Sequence, residues 1–396
     1  MSNDELKTLR TAINQLDKEL LQVFAKRRQL SKQVAQTKYQ KQLNIRDQAQ
    51  EKKLLSQLLS NADKLGLDSA TTLSLFHNII EDSIRTQYDY FLSQEHSAEQ
   101  PITLALLGSD TSYSAIAAKN HFATKSSDYK PRYFKNFKQI FDSLKTDKCN
   151  HALVPIENTN SGNITDIHDL LLEYDVKIVG EEKLKVKHCL IGIASASLDQ
   201  ITDVYSHPQA ISQCKSFLDE HSKITSHFRS STSAAIKLVD EYQNPSIAAI
   251  ASEEAAVESG LSILQAGINN YQENYTRFLL VSRKEIQVPA KIPAKTSIVL
   301  TTKQQAGSLA DCLLILKNHQ INMTKIESRP ISSKPWQEMF YIDFEGNTED
   351  MDIEKMLYEL ERTAHQIKVL GCYPQHDILA THLDAKTLSD IEHNAT

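Results

Sequence analysis

The stretch Gln94-Glu-His-Ser-Ala-Glu-Gln-Pro-Ile-Thr-Leu-Ala-Leu-Leu-Gly108 separates two kinds of sequence. Polar residues 94–100 end at Pro101, and the apolar run 102–107 closed by Gly108 reads as a buried strand. Before this stretch there is no proline, and Gly66 is the single glycine. Leu6, Leu9, Ile13, Leu16, Leu20, Val23, Leu30 and Val34 recur at helical spacing. A helix over about 4–42 would be roughly 58 Å long, more than a small domain can cover. Its stripe needs other helices, and a partner chain supplies them most easily. Helices over about 47–62 and from a cap at Asp68 or Ser69 to about 94 complete an all-helical domain, 1–94.

Past Pro101 short apolar runs alternate with helical ones. The strands are 102–107, 152–156, 176–179, 189–193, 204–205 and 247–250, and the helices include 210–220 and 232–241. This predicts an α/β domain, 101–284, with a largely parallel sheet and two lobes around a cleft. Pro289 and Pro293 punctuate the next boundary. Residues 295–375 then read βαββαβ, an α+β ferredoxin-like order, and 376–396 read as a polar tail.

Composition narrows the function. The chain has 396 residues, a net charge of −6 and 10 glycines. That is about a third of the usual glycine share of near 7%. Neither nucleotide-loop motif, G-x-G-x-x-G nor G-x-x-x-x-G-K-[ST], occurs. The five cysteines, 149, 189, 214, 312 and 372, form no C-x-x-C and read as free thiols. No metal, organic cofactor, nucleic acid or membrane is implied, and a cytoplasmic setting is expected. Residues 1–60 hold 12 basic and 6 acidic side chains, so the positive charge is concentrated there.

The register Leu6, Ile13, Leu20 continues to Arg27, a charge in an apolar stripe that needs a partner. Lys38 lies eleven residues on, near the same face and about 16 Å along; Arg10 is seventeen back, about 25 Å away. Asp47 and Glu51 share a face of the second helix, Ser83 and Gln87 one of the third. An ion pair, or a bare dimerisation or nucleic-acid-binding arm, are the plainer readings, but a plain coiled coil has no reason to contain Arg27. The set resembles the all-helical, intertwined-dimer chorismate mutases. The resemblance implies that Arg27, Lys38 and a partner protomer's Arg10 grip the substrate's carboxylates. Asp47 and Glu51 would hold its hydroxyl side, Ser83 would line the site, and Gln87 would face the breaking ether oxygen. Gln50 stands where that pattern has an arginine.

In the α/β part, Val154-Pro-Ile-Glu-Asn-Thr159 with Ser161-Gly162 follows a strand and puts Glu157 and Asn158 on a loop at its carboxyl end. Ser206-His207-Pro208-Gln209 with Gln213 follows another strand, 232–235 opens a helix, and Asn274-Tyr-Thr-Arg-Phe278 precedes a further strand. His207 alone reads as packing or capping. Together these strings resemble the prephenate dehydratases. That implies Thr276 as catalytic hydroxyl, with Glu157, Asn158, Ser206 and Gln213 as further site positions. Arg277 either binds a carboxylate or braces its loop. The family's first loop, G-P-x-G-[ST]-[YF]-[ST], is Gly108-Ser-Asp-Thr-Ser-Tyr-Ser114 here, and Thr111 disfavours a positive φ.

Gly307-Ser308-Leu309 and Glu327-Ser328-Arg329-Pro330 resemble the ligand motifs of an ACT domain. The whole chain is thus similar to the bifunctional chorismate mutase–prephenate dehydratases of phenylalanine biosynthesis. This implies at least a homodimer, and L-phenylalanine as allosteric inhibitor held between two ACT domains. The rival is a phenylalanine-sensing regulatory protein with a degenerate dehydratase cleft.

Overall fold

The computed structural model describes residues 3–95, 101–123, 128–331, 337–377 and 381. They fall into two compact units. One comprises 1–98, 288–293 and 377–396; the other, 99–287 and 294–376.

Three helices make the first unit: α1 (Asn3–Gln40), α2 (Gln48–Lys64) and α3 (Ser69–Glu95). Asp47 caps α2, its Oδ1 accepting the Gln50 N–H at 3.0 Å. Asp68 caps α3 through the Thr71 N–H at 2.7 Å. Packing is confined to one end of α1, where Ser31 and Ala35 are buried against a core that includes Leu55, Leu59, Ile84, Tyr88 and Phe91. The stripe Leu6 to Val34 is exposed throughout, from 40% at Leu6 to 67% at Leu20. Among the described residues no helix is long and apolar enough to cross a membrane.

The second unit starts with a lobe built from β1 (Ile102–Leu107), α4 (Tyr113–Ala123), β2 (Tyr129–Phe134), α5 (Phe137–Lys145), β3 (His151–Asn158), β4 (Gly162–Asn163), α6 (Thr165–Glu173) and β5 (Lys177–Lys185). The chain then builds a second lobe from β6 (Cys189–Gly192), β7 (Asp203–Ser206), α7 (Pro208–Gln213), α8 (Lys215–Glu220), β8 (Thr225–Phe228), α9 (Thr232–Tyr242), β9 (Ile247–Ala251), α10 (Glu253–Ser259) and β10 (Ser262–Gln265). It returns as β11 (Tyr275–Ser282), which inserts between β3 and β5 of the first sheet.

Both sheets are mixed, not largely parallel. In the first, β1 runs parallel to β2 and β3, but β11 is antiparallel to β3 and β5. In the second, order β10-β6-β9-β7-β8, the β6 pairings are antiparallel and the β7 pairings parallel. The reason is the crossing between lobes: β6 and β11 are each entered by a linker from the other lobe, without a right-handed βαβ crossover.

Residues 294–374 form β12 (Ala294–Thr301), α11 (Ser308–Asn318), β13 (Met323–Pro330), β14 (Glu338–Glu345), α12 (Met351–Thr363) and β15 (Gln366–Pro374). The order is βαββαβ, and the antiparallel sheet reads β13-β14-β12-β15. Alternation along the strands gives it two apolar faces. Ile298, Leu300, Ile342 and Phe344 pack with Cys312, Leu316, Met356 and Leu360 of the two helices. Val299, Tyr341 and Tyr373 join Ala105, Ile140, Val154 and Leu279 in the core of the first lobe. All five cysteines are free.

β15 passes so close to β5 that a Cβ on Gly371 would lie 2.1 Å from the Ile178 carbonyl oxygen. Gly371→Ala therefore has to part the two strands. We expect it to destabilise the second unit by about 1–3 kcal/mol, read as a lowered denaturation midpoint of the full chain. An unchanged midpoint would contradict this packing.

Candidate functional sites

In the helical unit, Arg27 Nη1 donates to the Ile79 carbonyl at 3.0 Å and to Ser83 Oγ. Burial lowers the Arg27 pKa, against the opposing pull of Asp82. Lys38 donates to the Ile45 carbonyl at 2.6 Å, and burial lowers its pKa against Asp47 and Glu51. Gln87 is buried and donates through Nε2 to the Ser83 carbonyl at 3.1 Å, while its Oε1 has no partner among the described residues. Leaving a buried polar atom unpaired costs about 1–3 kcal/mol, a state that a ligand relieves. The structure thus brings Arg27, Ser83 and Gln87 together at one place. Asp47 is exposed and spends one oxygen on its cap.

Glu51 carries two partners that sequence reading does not suggest. Arg46 donates to both its oxygens, at 3.3 and 2.8 Å, and Thr381 Oγ1 donates to Oε2. Burial would raise the Glu51 pKa; Arg46 and Thr381 outweigh it and lower it. Arg10 lies on the exposed half of α1, roughly 25 Å from Arg27 along the axis.

The second site lies where the carboxyl end of β3 meets the start of β11. Thr276 pairs with Asn158, and Arg277 with Glu157. Neighbouring residues on a strand point to opposite faces, so each pair has its own side of the sheet.

On the Thr276 side the hydrogen bonds determine their own polarity. Asn158 Oδ1 accepts the backbone N–H groups of Asn160 and Ser161 at 3.0 and 2.9 Å, so this atom is oxygen. Asn158 Nδ2 then shares its two hydrogens among Asn274 Oδ1 at 2.7 Å, the Tyr275 carbonyl at 3.0 Å and Thr276 Oγ1 at 3.0 Å. Asn274 Nδ2 in turn donates to Gln213 Oε1 at 3.0 Å, and Gln213 Nε2 donates to Asn158 Oδ1 and Ser161 Oγ. Gln213 Oε1 must receive His188 Nε2–H at 2.9 Å, which leaves His188 Nδ1 to accept from Tyr113 OH at 2.8 Å. Burial lowers the His188 pKa, in keeping with this neutral tautomer. The chain Tyr113–His188–Gln213–Asn158 ends on Thr276 Oγ1 as an acceptor. Among the described residues the Thr276 hydroxyl hydrogen has no acceptor, so it can be given to a ligand.

Ser206 is fully buried, and its hydroxyl donates to the Ile250 carbonyl at 2.6 Å, outside this chain. His207 caps α7, its Nδ1 accepting the Gln209 N–H at 3.3 Å. In the first loop Gly108 takes φ +90°, while Thr111 is not among the residues of positive φ; Ser112 closes the turn on the Ser109 carbonyl at 2.6 Å. Tyr113 and Asn274 lie in quoted motifs but were given no role, and nothing in its local sequence marks His188; only the lobe-to-lobe packing joins the three.

On the other side, Arg277 is 8% exposed and hydrogen-bonded to four side chains. It donates to Glu181 at 2.8 Å, Glu157 at 3.0 Å, Asp343 at 2.6 Å and Tyr373 OH at 2.9 Å. Burial alone would lower its pKa; the surrounding Tyr373, Asp343 and Glu181 reverse that and raise it. Lys295 donates to both oxygens of Glu181 at 2.9 and 3.0 Å. Burial pushes the Glu181 pKa up, but Arg277 and Lys295 bring it down to about 2. Glu157 also receives Lys325. Of the two readings of Arg277, the geometry is that of a brace.

The glycine-led turn at α11 has Gly307 at φ +82°, followed by Ser308 and Leu309. Along β13, Lys325, Glu327 and Arg329 face the first lobe: Glu327 accepts from Asn163 at 2.5 Å, and Arg329 donates to Asp169 at 2.8 Å. Ser328 and Pro330 are exposed.

Two family models match this chain. The family model for prephenate dehydratase matches residues 104–286, and that for chorismate mutase type II matches 9–88. The chain is similar to the bifunctional chorismate mutase/prephenate dehydratase of Escherichia coli K12, 39% identical over 96% of this chain and 98% of that protein. The Aquifex aeolicus protein so named is 32% identical over 94% and 98%. Among solved structures, prephenate dehydratase from Arthrobacter aurescens in complex with L-Phe has TM-score 0.63 and 25% identity, covering 74% of this chain and 97% of that one. A quorum-quenching acylase has TM-score 0.62 and 29% identity, covering 69% and 97%.

Removing the brace should be severe. Arg277→Met leaves Glu157, Glu181 and Asp343 facing one another with a cation removed, a loss of about 3–5 kcal/mol. In the wild type, Glu181 is held below its ordinary 4.5, so its contribution is complete above that pH and is lost as pH falls toward about 2. Denaturation at pH 7 and pH 3 should show the second unit weakened by acid, and Arg277→Met already weak at pH 7. Equal stability of the variant and wild type at pH 7 would refute the brace.

Proposed function

The chain belongs to the bifunctional chorismate mutase/prephenate dehydratase family, and from that premise we propose which side chains carry each activity. The observation that carries the proposal is the pair of unfinished polar sites: the free Thr276 hydroxyl hydrogen and the unpartnered Gln87 oxygen.

The mutase reaction is a pericyclic rearrangement, so it needs no nucleophile. The site must hold a dianion in a compact, chair-like conformer and stabilise charge on the departing ether oxygen. Arg27 and Lys38 bind carboxylates, Glu51 and Asp47 hold the hydroxyl side, Ser83 orients Arg27, and Gln87 with Lys38 faces the ether oxygen. Arg10 serves the partner's site. The exposed stripe on α1 supports this, because a second protomer running antiparallel would cover Leu9, Ile13, Leu16 and Leu20 and deliver Arg10.

The dehydratase reaction expels carbon dioxide and hydroxide together as the ring becomes aromatic. Thr276 donates its hydrogen bond to the departing hydroxyl. A threonine hydroxyl is a weak acid, and the Asn158 N–H aimed at its oxygen supports the charge it gathers. Gln213 holds Asn158 in place. Ser206 and Glu157 act at one remove, Ser206 by tying β7 to β9 and Glu157 by holding Arg277 and Lys325. The intact donor chain favours turnover over a phenylalanine-sensing protein with a degenerate cleft.

The βαββαβ module, 295–375, reads as an ACT domain that binds L-phenylalanine between two copies. Gly307, Ser308 and Leu309 receive the carboxylate at the start of α11, with Glu327, Ser328, Arg329 and Pro330 on β13. Its contacts with Asn163 and Asp169 give a binding event there a route to β3 and β4. The setting is cytoplasmic, and the pathway is phenylalanine synthesis.

Feeding chorismate and prephenate separately to three forms of the full chain tests this. Arg27→Ala should lose mutase turnover by at least about 100-fold and keep the dehydratase. Thr276→Val should do the converse, by about 100-fold or more. Phenylalanine should inhibit the wild-type dehydratase. Loss of both activities in either variant would refute separate sites, and phenylalanine without effect would refute the regulatory reading.

A further inference from the structure

The chain returns to its first unit twice after leaving it. Residues 288–293, with Val288 and Ile292 buried, and residues from 377 onward belong to the helical unit. They bracket the module of 294–376 on both sides. Asp377 and Thr381 are the described residues of the second return, and Thr381 is 7% exposed.

Its contacts are specific. Thr381 Oγ1 donates to Glu51 Oε2, and the same oxygen accepts from Arg46 Nη2 at 2.9 Å. The Thr381 carbonyl bonds His77 Nε2 at 3.2 Å, so that nitrogen carries the hydrogen. An ionised carboxylate only accepts, and a guanidinium only donates. The hydroxyl hydrogen must therefore point at Glu51 and a lone pair at Arg46, so the group has one orientation. Such a bond to a charged group is short and stronger than one between neutral groups. Arg46 and Thr381 together fix both oxygens of Glu51.

We propose that Thr381 is a positioning residue of the mutase site: its hydroxyl sets the Glu51 carboxylate that holds the substrate's hydroxyl side. Thr381 is then a working part of the first unit, although more than three hundred residues separate it from Glu51. The inference rests on the mutase reading above.

A hydroxyl that orients Glu51 in both ground and transition state acts on binding more than on turnover. In the full chain, Thr381→Val should raise the mutase KM for chorismate about tenfold, the equivalent of one hydrogen bond to a charged group. The kcat should stay within about threefold, and Thr381→Ser should restore the KM. Turnover of supplied prephenate should be unchanged in both variants. A wild-type KM in Thr381→Val, a loss not restored by serine, or an equal loss of dehydratase activity would overturn the proposal. No chorismate turnover by the wild type would instead overturn the mutase reading on which it depends.

Discussion

The Arg277 guanidinium, buried among Glu157, Glu181, Asp343 and Tyr373, is the constraint on which the α/β unit depends. A charge at this depth is tolerable only when every donor is met, and its partners come from β3, β5, β14 and β15. No single element can satisfy it. The cluster therefore locks the register of β11 between β3 and β5, and it ties the C-terminal sheet to the first lobe. Because Thr276 is the next residue, that same register puts its hydroxyl on the opposite face, beside Asn158. A slip of one residue would exchange the two and destroy both.

This explains why the C-terminal module is not an appendage. Val299, Tyr341 and Tyr373 complete the core of the first lobe, and Lys295 and Asp343 complete its ion cluster. Deleting the module would uncover apolar surface and leave Glu181 with fewer cations. A shift of β13 or β14 would act on Glu157 and Arg277, neighbours of Asn158 and Thr276 in the sequence.

Much of this was legible in the sequence, and the rest was hidden for definite reasons. Helical spacing gave three helices close to their observed limits, because periodicity is local. The βαββαβ order and six lobe strands were legible for the same reason, whereas β2, β4, β8 and β10 were not read. Sheet polarity was not, since it depends on where the linkers into β6 and β11 run. Glu157 and Asn158 are adjacent in a motif, yet they serve different faces; alternation predicts that they separate but not which faces the cleft. Arg277 was ambiguous between ligand and brace until its four partners, up to 120 residues away, were in place. Thr381 lies in a polar tail and had no signal at all, because its partners are Arg46, Glu51 and His77. Two members of the positive segment 1–60, Arg27 and Lys38, are half-buried, bonded to α3 and to the Ile45 carbonyl.

The central claim is that one chain carries two complete and successive chemistries. A time course of chorismate fed to the purified wild-type chain, with both products quantified, tests it most directly. Prephenate should rise first and then fall as phenylpyruvate accumulates. Prephenate persisting as the end product would contradict an active α/β cleft, and chorismate left unconsumed would contradict the helical site.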